Sequence, residues 1–303
     1  MQNRPKLLLF AFSMTGHAIL EELIKLGANI IGVYTYEDNP KENWFPSVKE
    51  LAQKNNISTF TPEKLGTNEI AHIKSLAPDI ILSVYYRSLI CDDILKGVPL
   101  GAFNMHGSLL PKYSGRAPIN WVILKGEKET GATLHYMVAK ADAGDIVDQE
   151  KVVISNEDTA LTLTKKITLS ACEIIKRTYT LIETKKLNPR KQDMSISTYF
   201  GRRTPADGLI KWDWDAQTIY NLVRAVTKPF PGAFFEENGK KYIVWKAKVL
   251  TTKSNLPFGT TISKTPFVKT TSSTDLEITN VANELNLPGL PLSAAKYCTD
   301  KYE

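Results

Sequence analysis

Three polar side chains in one stretch of the chain, Asn104, His106 and Asp142, have types and spacing that could do chemistry. Asn104 and His106 stand two residues apart, directly after the apolar run 100–103. If that run is a strand, residues i and i+2 point to the same face, so an amide and an imidazole converge on one point. Asp142 follows in the Gly-containing turn 141–145. An amide donor, an imidazole and a carboxylate suit acyl transfer, in which an oxyanion must be stabilised and a proton moved.

Other chemistries find less support in the sequence. Among the remaining histidines, His17 opens a predicted helix, His72 falls in a helical pattern and is expected to be solvated, and His135 is expected to be packed in a strand. Four dispersed histidines without an acidic cluster argue against a catalytic metal. The segment FAFSMTGH after the first apolar run lacks GxGxxG, and neither a GxxxxGKS/T loop nor a GxSxG elbow is present. A nicotinamide dinucleotide site and a nucleophilic serine are therefore not expected.

Apolar runs alternate with helical patterns through the first part of the chain. Strands are predicted at 6–12, 30–34, 79–84, 100–105, 132–138 and 146–154, and helices at 16–26, 48–54, 70–76 and 158–184, the last capped by Asp158. This alternation predicts a doubly wound, mostly parallel α/β sheet. Ligands of such sheets bind beyond the carboxyl ends of the strands, which is where Asn104 and His106 fall.

The pattern changes after residue 186. Residues 187–205 are interpreted as a polar linker and a loop with two adjacent arginines. Short alternating strands follow at 233–236, 241–250, 259–263, 267–271 and 275–281, with a hairpin turn at Asn238-Gly239. The sequence thus predicts a catalytic domain at 1–186 and a small all-β domain at 206–303, shaped as a partly open barrel.

The composition is that of an ordinary globular protein, with 303 residues, 43% of them hydrophobic and 23% charged. The net charge of +6 favours anionic ligands such as nucleotides and folates, but charge is nearly balanced in residues 204–303, so no nucleic acid is expected as a partner. The three cysteines lack CxxC spacing and indicate reduced core thiols. No segment is apolar enough for membrane insertion, so a cytoplasmic location is expected.

Several side chains near the predicted cleft are candidates for binding a ligand. Tyr86 follows the predicted strand 79–84 and either lines the cleft or is an ordinary edge aromatic. Arg116, Arg202 and Arg203 are natural partners of phosphate or carboxylate, because guanidinium forms bidentate pairs. Two adjacent arginines are usually a solvated patch, but the glycine before them and the proline that follows give this loop a defined shape.

Five motifs lie between residues 104 and 144: Asn104-x-His106, SLLP at 108–111, Gly115-Arg116-x-Pro118, Glu129-Thr-Gly131 and Asp142-x-Gly144. Together they resemble the 10-formyltetrahydrofolate-dependent formyltransferases. The resemblance implies a Rossmann-like catalytic domain followed by a small, oligonucleotide-fold-like β domain, which agrees with the pattern of predicted elements. It also implies 10-formyltetrahydrofolate as the formyl donor and no metal.

Within this family, the chain is most similar to the formyltransferase domain of the bifunctional polymyxin-resistance enzymes, which formylate UDP-4-amino-4-deoxy-L-arabinose. The similarity includes SVYYRSLI (83–90), HGSLLPKYSGRAPINW (106–121), TLHYMVAKADAG (133–144), FGRRTPADG (200–208) and VRAVTKPFPGAF (223–234). It departs at Ser114, where the family usually has Arg, and it fades after Val281, which leaves residues 282–303 without an assigned role. Since the resemblance does not include the decarboxylating dehydrogenase half, a separate dehydrogenase/decarboxylase of the same pathway is an expected partner.

The resemblance also implies a role for individual residues. Asn104 would stabilise the transition-state oxyanion, His106 would act as general acid and base, and Asp142 would favour the protonated ring. The folate site is expected at Ser88, Leu89, Ile90, Arg116, Val138, Ala139, Lys140, Ala141 and Asp142, much of it through main-chain groups. The nucleotide sugar is expected at Tyr86, Asn120, Arg202 and Arg203.

The expected function is transfer of a formyl group to the 4-amino group of a nucleotide-linked amino sugar, UDP-4-amino-4-deoxy-L-arabinose, in lipid A or surface-polysaccharide modification. Ser114 keeps open another amino sugar, as in O-antigen synthesis. Methionyl-tRNA formyltransferase is a further alternative, against which the weakly charged β domain counts. A folate-binding scaffold would have no need for Asn104, His106 and Asp142 together. The oligomeric state stays open, with a homo-oligomer as one option.

Overall fold

The computed structural model of the chain describes residues 4–40, 42–264 and 267–283. The chain divides into two compact units. The first unit consists of Met1–Gly115, Glu129–Val153 and Thr164–Tyr199, and the second of Arg116–Lys128, Ile154–Leu163 and Phe200–Glu303. The second unit thus includes two segments that precede the predicted linker. The three domain ranges expected from the sequence stay a prediction.

Helices and strands alternate through the first unit, as expected. The strands are β1 (Lys6–Ala11), β2 (Asn29–Tyr34), β3 (Thr59–Phe60), β4 (Ile80–Val84), β5 (Ala102–His106), β6 (Ser114–Gly115), β7 (Glu129–Tyr136), β8 (Ile146–Val153), β9 (Tyr199–Phe200), β10 (Ala233–Glu237), β11 (Lys240–Val249), β12 (Thr261–Lys264), β13 (Phe267–Lys269) and β14 (Leu276–Asn283). The helices are α1 (Ser13–Lys25), α2 (Val48–Lys54), α3 (Thr67–Leu76), α4 (Asp92–Leu95), α5 (Pro118–Leu124), α6 (Ala160–Glu183) and α7 (Ala216–Val226), and short 3-10 turns lie at Met194–Ile196 and Pro205–Gly208.

Within the described residues, seven strands of the first unit form one sheet in the order β3-β2-β1-β4-β5-β7-β8. In this order the first five strands, β3, β2, β1, β4 and β5, are parallel, whereas β7 pairs antiparallel with both β5 and β8. Strand β1, which lies in the middle of the parallel strands, is a nearly continuous apolar run and is buried from Leu7 to Ala11, as in a strand that is covered on both faces. Leu8, Phe10 and Ile81, for example, are buried in one cluster with Tyr34 and Ile73. The predicted mostly parallel α/β sheet is confirmed, with strand ends shifted by a few residues.

The second unit contains an antiparallel sheet, which in the described ranges has five strands in the order β10-β11-β14-β13-β12. The β sheet predicted for the C-terminal domain is thus confirmed. Its first hairpin turns at Asn238 and Gly239, whose φ angles of 52° and 69° are those of a two-residue type I′ turn. Side chains from both edges of the sheet meet at Glu237, whose Oε1 accepts from Thr261 Oγ1 at 3.4 Å and from the buried Lys269 Nζ at 2.7 Å. The sheet therefore curls towards closure.

Helices α4, α5 and α7 were not expected. Helix α5 follows the motifs at 108–118, where no helix was predicted, and Pro118 is its first residue, a position at which the missing N–H costs no hydrogen bond. Helix α7 begins after Asp215, whose carboxylate caps it by accepting from Thr218 N at 2.9 Å. At the start of α6, Thr159 and Thr162 exchange the capping hydrogen bonds that the sequence assigned to Asp158.

None of the helices in the described ranges combines the length and the apolar character needed to cross a membrane. Of the three cysteines, Cys91 and Cys172 are free thiols and half-buried rather than fully in the core. Cys298 lies outside the described residues, as does most of the tail 282–303.

Gly131 of β7 has no room for a side chain. A Cβ there would overlap the Glu150 carbonyl oxygen of the paired strand β8 and would approach Leu109 Cδ2 to 2.6 Å. Because a paired backbone cannot move aside without losing its ladder, Gly131→Ala should lower the free energy of unfolding by about 1–3 kcal/mol. The matched control is Gly201→Ala, where nothing lies within 4 Å of the added Cβ. Urea denaturation measures both, and equal midpoints would contradict the expectation.

Candidate active site

The face of the sheet that carries the predicted site is fixed by the pairing of β5 with β7. In this antiparallel pair Asn104 lies opposite His135, and His106 lies opposite Thr133. Directly opposed residues project their side chains to the same face, as do residues two apart on one strand. Asn104, His106 and His135 therefore share one face of the sheet.

Asp142 lies over this face, because the connection between β7 and β8 folds back towards it. Its φ of 56° is left-handed, a conformation that Asp and Asn adopt more readily than most residues. Carboxylate Oδ1 is 3.5 Å from His106 Nδ1, and Oδ2 accepts a hydrogen bond from Gly115 N at 2.8 Å. The side chains of His106 and Asp142 are only 7% and 12% exposed, so their attraction is weakly screened.

A backbone carbonyl determines the tautomer of His106. The ring Nε2 lies 2.9 Å from the Tyr113 carbonyl oxygen, which can only accept, so Nε2 carries the proton. Tyr113 is itself held in place, since its N–H donates to Thr198 Oγ1 at 2.8 Å. In the neutral ring Nδ1, the atom that faces Asp142, is therefore free to take up a proton, and the charged ring can donate to the carboxylate.

His135 is a member of the site that the sequence reasoning missed. It is 1% exposed, its Nδ1 lies 2.8 Å from the Tyr136 carbonyl oxygen, and its Nε2 lies 3.1 Å from Asn104 Nδ2. Burial and the neighbouring His106 lower the pKa of His135 to about 4, although Asp142 acts in the opposite direction. The ring is thus neutral at physiological pH, and the 3.7 Å approach of its Nε2 to Asp142 Oδ1 is not an ion pair. The expected packed, hydrogen-bonded role is correct, but the link to Asn104 required the strand register.

The loops of the site are held by side chains outside the predicted set. Thr133 Oγ1 donates to the Ser108 carbonyl at 2.6 Å and accepts from Leu110 N at 3.2 Å, which fixes the turn after β5. Gln192, in the predicted linker, donates from Nε2 to the carbonyls of Asp142 and Gly144 at 2.8 and 2.7 Å. Nothing in the local sequence distinguishes Gln192 from its polar neighbours, because its partners lie about fifty residues away along the chain.

The residues expected to bind folate lie mainly on two loops of the first unit. Ser88, Leu89 and Ile90 follow β4; Leu89 is 82% exposed, and Ser88 Oγ lies 3.3 Å from Tyr36 Oη. Val138, Ala139, Lys140 and Ala141 form the exposed part of the connection between β7 and β8. Two large apolar side chains, Leu89 and Val138, thus face solvent on these loops. Arg116 belongs to the second unit, where its N–H donates to the Phe200 carbonyl at 2.8 Å.

The residues expected to bind the nucleotide sugar are divided between the units. Tyr86, in the first unit, stacks on Tyr36 with ring centroids 4.9 Å apart. Asn120, Arg202 and Arg203 are in the second unit. Asn120 Nδ2 already donates to the Ala225 carbonyl at 2.7 Å, which ties α5 to α7. These sugar-binding assignments stay predictions.

The two adjacent arginines differ in their surroundings. Arg203 lies over the ring of Trp121, 4.8 Å from its centroid, and donates to the Asp207 carbonyl at 2.9 Å. Burial lowers the pKa of the Arg203 guanidinium, so this side chain is built into the second unit. Arg202 is exposed to solvent. At the departure from the family pattern, Ser114 Oγ donates to the Thr198 carbonyl at 2.9 Å within the first unit.

No group of three or more histidine, cysteine, aspartate and glutamate side chains suited to a metal occurs in the part of the chain that the structure describes. What this part offers instead is an amide, an imidazole and a carboxylate close together over one face of a sheet. Such a set can donate to an oxyanion and move a proton.

Comparison with known proteins places this site in a family. The family model for formyl transferase matches residues 8–178, and the model for the formyl transferase C-terminal domain matches residues 202–286. Both regions that the sequence separated, the α/β domain and the β domain, are therefore matched.

Solved structures of sugar formyltransferases share the fold. One is an N-formyltransferase from Helicobacter canadensis in complex with folinic acid and dTDP-3-aminofucose, with 21% identity, a TM-score of 0.73, and coverage of 90% of this chain and 98% of that one. Another is WlaRD, a sugar 3N-formyl transferase solved with dTDP and 5-N-formyl-THF, with 21% identity, a TM-score of 0.69, and coverage of 94% and 100%. A third is a 4-N formyltransferase from Francisella tularensis, with 21% identity, a TM-score of 0.62, and coverage of 78% and 95%.

At these identities the structural likeness concerns the fold alone, whereas the family model for formyl transferase matches more than half of the sequence. The chain therefore belongs to the formyl transferase family.

Proposed function

We propose that this protein transfers the formyl group of 10-formyltetrahydrofolate to the 4-amino group of a nucleotide-linked amino sugar. The observation that carries the proposal is the cluster of Asn104, His106 and Asp142 on one face of the β5–β7 pair, with His106 Nδ1 3.5 Å from the carboxylate. Formyl transfer to an amine needs a donor to the oxyanion and a group that accepts and returns a proton, and this cluster supplies both.

The first step of the proposed reaction is attack by the neutral sugar amine on the formyl carbon. Productive attack requires the two reacting atoms to be held about 3–3.5 Å apart. The carbonyl oxygen then becomes an oxyanion, to which the Asn104 amide donates. His106 takes the proton of the attacking nitrogen at Nδ1, because Nε2 is already bonded to the Tyr113 carbonyl.

In the second step the tetrahedral intermediate collapses. The bond between the formyl carbon and the folate nitrogen breaks, and His106 returns its proton to that nitrogen, which leaves as tetrahydrofolate. Asp142 stabilises the imidazolium between the two transfers through its Oδ1, while Gly115 N–H holds Oδ2. No proton is gained or lost across the cycle.

The folate is proposed to lie along the loops 88–90 and 138–142. Leu89 and Val138 support this placement, since both are large apolar side chains exposed on those loops and available to cover a planar ring. The exposed backbone of 138–141 offers main-chain groups for the polar edge of the ring. The structures solved with folinic acid and 5-N-formyl-THF, at 21% identity, are consistent with a folate donor in this fold.

For the acceptor we propose UDP-4-amino-4-deoxy-L-arabinose, on the similarity of the sequence to the polymyxin-resistance formyltransferases. The product would then serve lipid A modification, the protein would act in the cytoplasm, and a separate dehydrogenase/decarboxylase of the same pathway would be a partner. A second candidate is another nucleotide-linked amino sugar. Ser114 favours it, because a serine hydroxyl bonded to the Thr198 carbonyl replaces the usual cationic side chain.

The acceptor is tested by a panel of UDP-, dTDP- and GDP-linked 4-amino sugars with 10-formyltetrahydrofolate, and with methionyl-tRNA as a control. We expect kcat/KM for UDP-4-amino-4-deoxy-L-arabinose to exceed that of the dTDP- and GDP-linked sugars by about tenfold or more, since an acceptor that leaves a polar group of the site unpaired is rejected. Formylation of methionyl-tRNA in preference to every sugar would refute the proposed function. Preference for another nucleotide sugar would refute only the finer assignment.

Removing either polar side chain of the centre should abolish most turnover. We expect Asn104→Ala and His106→Ala to lower kcat by about 10²–10³, because each removes a group that acts on the developing charge. His72→Gln is the matched control: His72 bonds to Tyr34 Oη at 2.7 Å in another part of the fold and should leave kcat unchanged. Circular dichroism verifies folding, and near-normal turnover of a folded Asn104→Ala protein would contradict the assignment.

The two arginines of the loop should behave differently. Arg202→Ala is expected to raise the KM of the nucleotide sugar about tenfold and to leave the KM of the folate and the melting temperature unchanged, because an exposed guanidinium is free to pair with phosphate. Arg203→Ala should instead lower the melting temperature, since it removes the contact with Trp121. Steady-state kinetics with thermal melts separates the two effects, and a stable Arg203→Ala protein beside an unstable Arg202→Ala protein would reverse the assignment.

A further inference from the structure

His135 contacts the centre through one bond, and the direction of that bond is determined. A carbonyl only accepts hydrogen bonds, so the contact of Nδ1 with the Tyr136 carbonyl at 2.8 Å places the ring proton on Nδ1. The ring is buried and neutral, so Nε2 carries a lone pair. At 3.1 Å from Asn104, Nε2 can therefore only accept, and the atom of Asn104 that donates is Nδ2.

This bond decides which end of the Asn104 amide faces which neighbour. An asparagine amide has two nearly isosteric ends, a carbonyl that accepts and an NH2 group that donates two hydrogen bonds. With Nδ2 held against His135, the second N–H of the same nitrogen remains for another acceptor. If the amide were reversed, its carbonyl oxygen would meet the lone pair of Nε2, and two acceptors would face each other.

The other groups around Nε2 do not replace this contact. Asp142 Oδ1 lies 3.7 Å from His135 Nε2, but the carboxylate is an acceptor too and cannot bond to an unprotonated nitrogen. Asp142 is instead engaged with Gly115 N–H and faces His106. Among the described contacts of His135, the bond from Asn104 is thus the one that orients a group of the proposed reaction.

We propose that His135 is a positioning residue, which as the neutral Nδ1–H tautomer locks the Asn104 amide with its NH2 group, rather than its carbonyl, available to the oxyanion. This inference rests on the proposed function for the identity of the reaction. The inference adds to the proposed function a residue that touches neither the formyl donor nor the sugar acceptor and acts only through Asn104.

The test is a double-mutant cycle with 10-formyltetrahydrofolate and the acceptor that the panel identifies. His135→Phe keeps an aromatic ring of similar shape and offers no acceptor, whereas His135→Gln places an amide oxygen close to the position of Nε2. We expect His135→Phe to lower kcat about 10- to 100-fold, part of the effect of a lost oxyanion donor, with both KM values within about twofold. We expect His135→Gln to recover most of that loss.

The decisive comparison uses the Asn104→Ala background. If His135 acts through Asn104, then Asn104→Ala/His135→Phe should turn over no more slowly than Asn104→Ala alone. A merely structural role would instead multiply the two losses, and that result would overturn the proposal. Wild-type turnover in a folded His135→Phe protein would overturn it as well.

A spectroscopic measurement separates this inference from the proposed function. In the wild-type protein labelled with ¹⁵N-histidine, the His135 ring should show a protonated Nδ1 and an unprotonated Nε2 at neutral pH. The opposite tautomer or a charged ring would refute the lock whether or not any sugar is formylated. If the panel yields no sugar acceptor, the proposed function fails, but the spectrum still tests whether His135 has the tautomer that the lock requires. Because the spectrum is recorded on the wild-type protein, this test does not depend on the folding of His135→Phe.

Discussion

The antiparallel pairing of β5 with β7 is the constraint on which the site depends. It brings His135 opposite Asn104 and Thr133 opposite His106, across strands whose intervening segment is more than twenty residues long. A shift of this register by one residue would turn the side chains of one strand to the other face of the sheet. The proposed reaction therefore depends on the register of these two strands as much as on the side chains that they carry.

Backbone carbonyls give the two buried histidines of the site different tasks. The Tyr113 carbonyl binds Nε2 of His106 and leaves Nδ1 towards a carboxylate, while the Tyr136 carbonyl binds Nδ1 of His135 and leaves Nε2 towards an amide. The same type of side chain thus presents a basic nitrogen to a carboxylate in one place and a fixed acceptor to an amide in the other, and in the proposed reaction only His106 transfers a proton. Since main-chain atoms make this distinction, the folded loops and strands determine it rather than the residue type.

Much of the fold and the centre of the site could be predicted from local patterns. The i, i+2 spacing of Asn104 and His106 and the apolar runs of the parallel strands follow from the period of a strand, which the sequence displays directly. Helix α7 was not predicted, although its apolar residues Ile219, Leu222, Val223 and Val226 have the helical spacing that a local pattern can reveal.

The remaining features depend on contacts between residues distant in sequence. Alternation of residues in β7 indicates that His135 points inward but not that it meets Asn104, because the register of two strands is a tertiary property. The clamp of Gln192 on the carbonyls of Asp142 and Gly144 joins segments far apart in the chain. Arg202 and Arg203 are neighbours of one type, and the contacts of Arg203 with Trp121 and with the Asp207 carbonyl distinguish them.

The division of the chain has a consequence for how such an enzyme can diversify. Asn104, His106, His135 and Asp142 all belong to the first unit, whereas Asn120, Arg202 and Arg203 belong to the second. Substitutions that alter the second set leave every described hydrogen bond of the first set in place. Under the proposed roles, substitutions at three of the four acceptor residues can therefore alter the choice of acceptor while the groups of the reaction keep their contacts, and one reaction can serve enzymes of unlike substrate range.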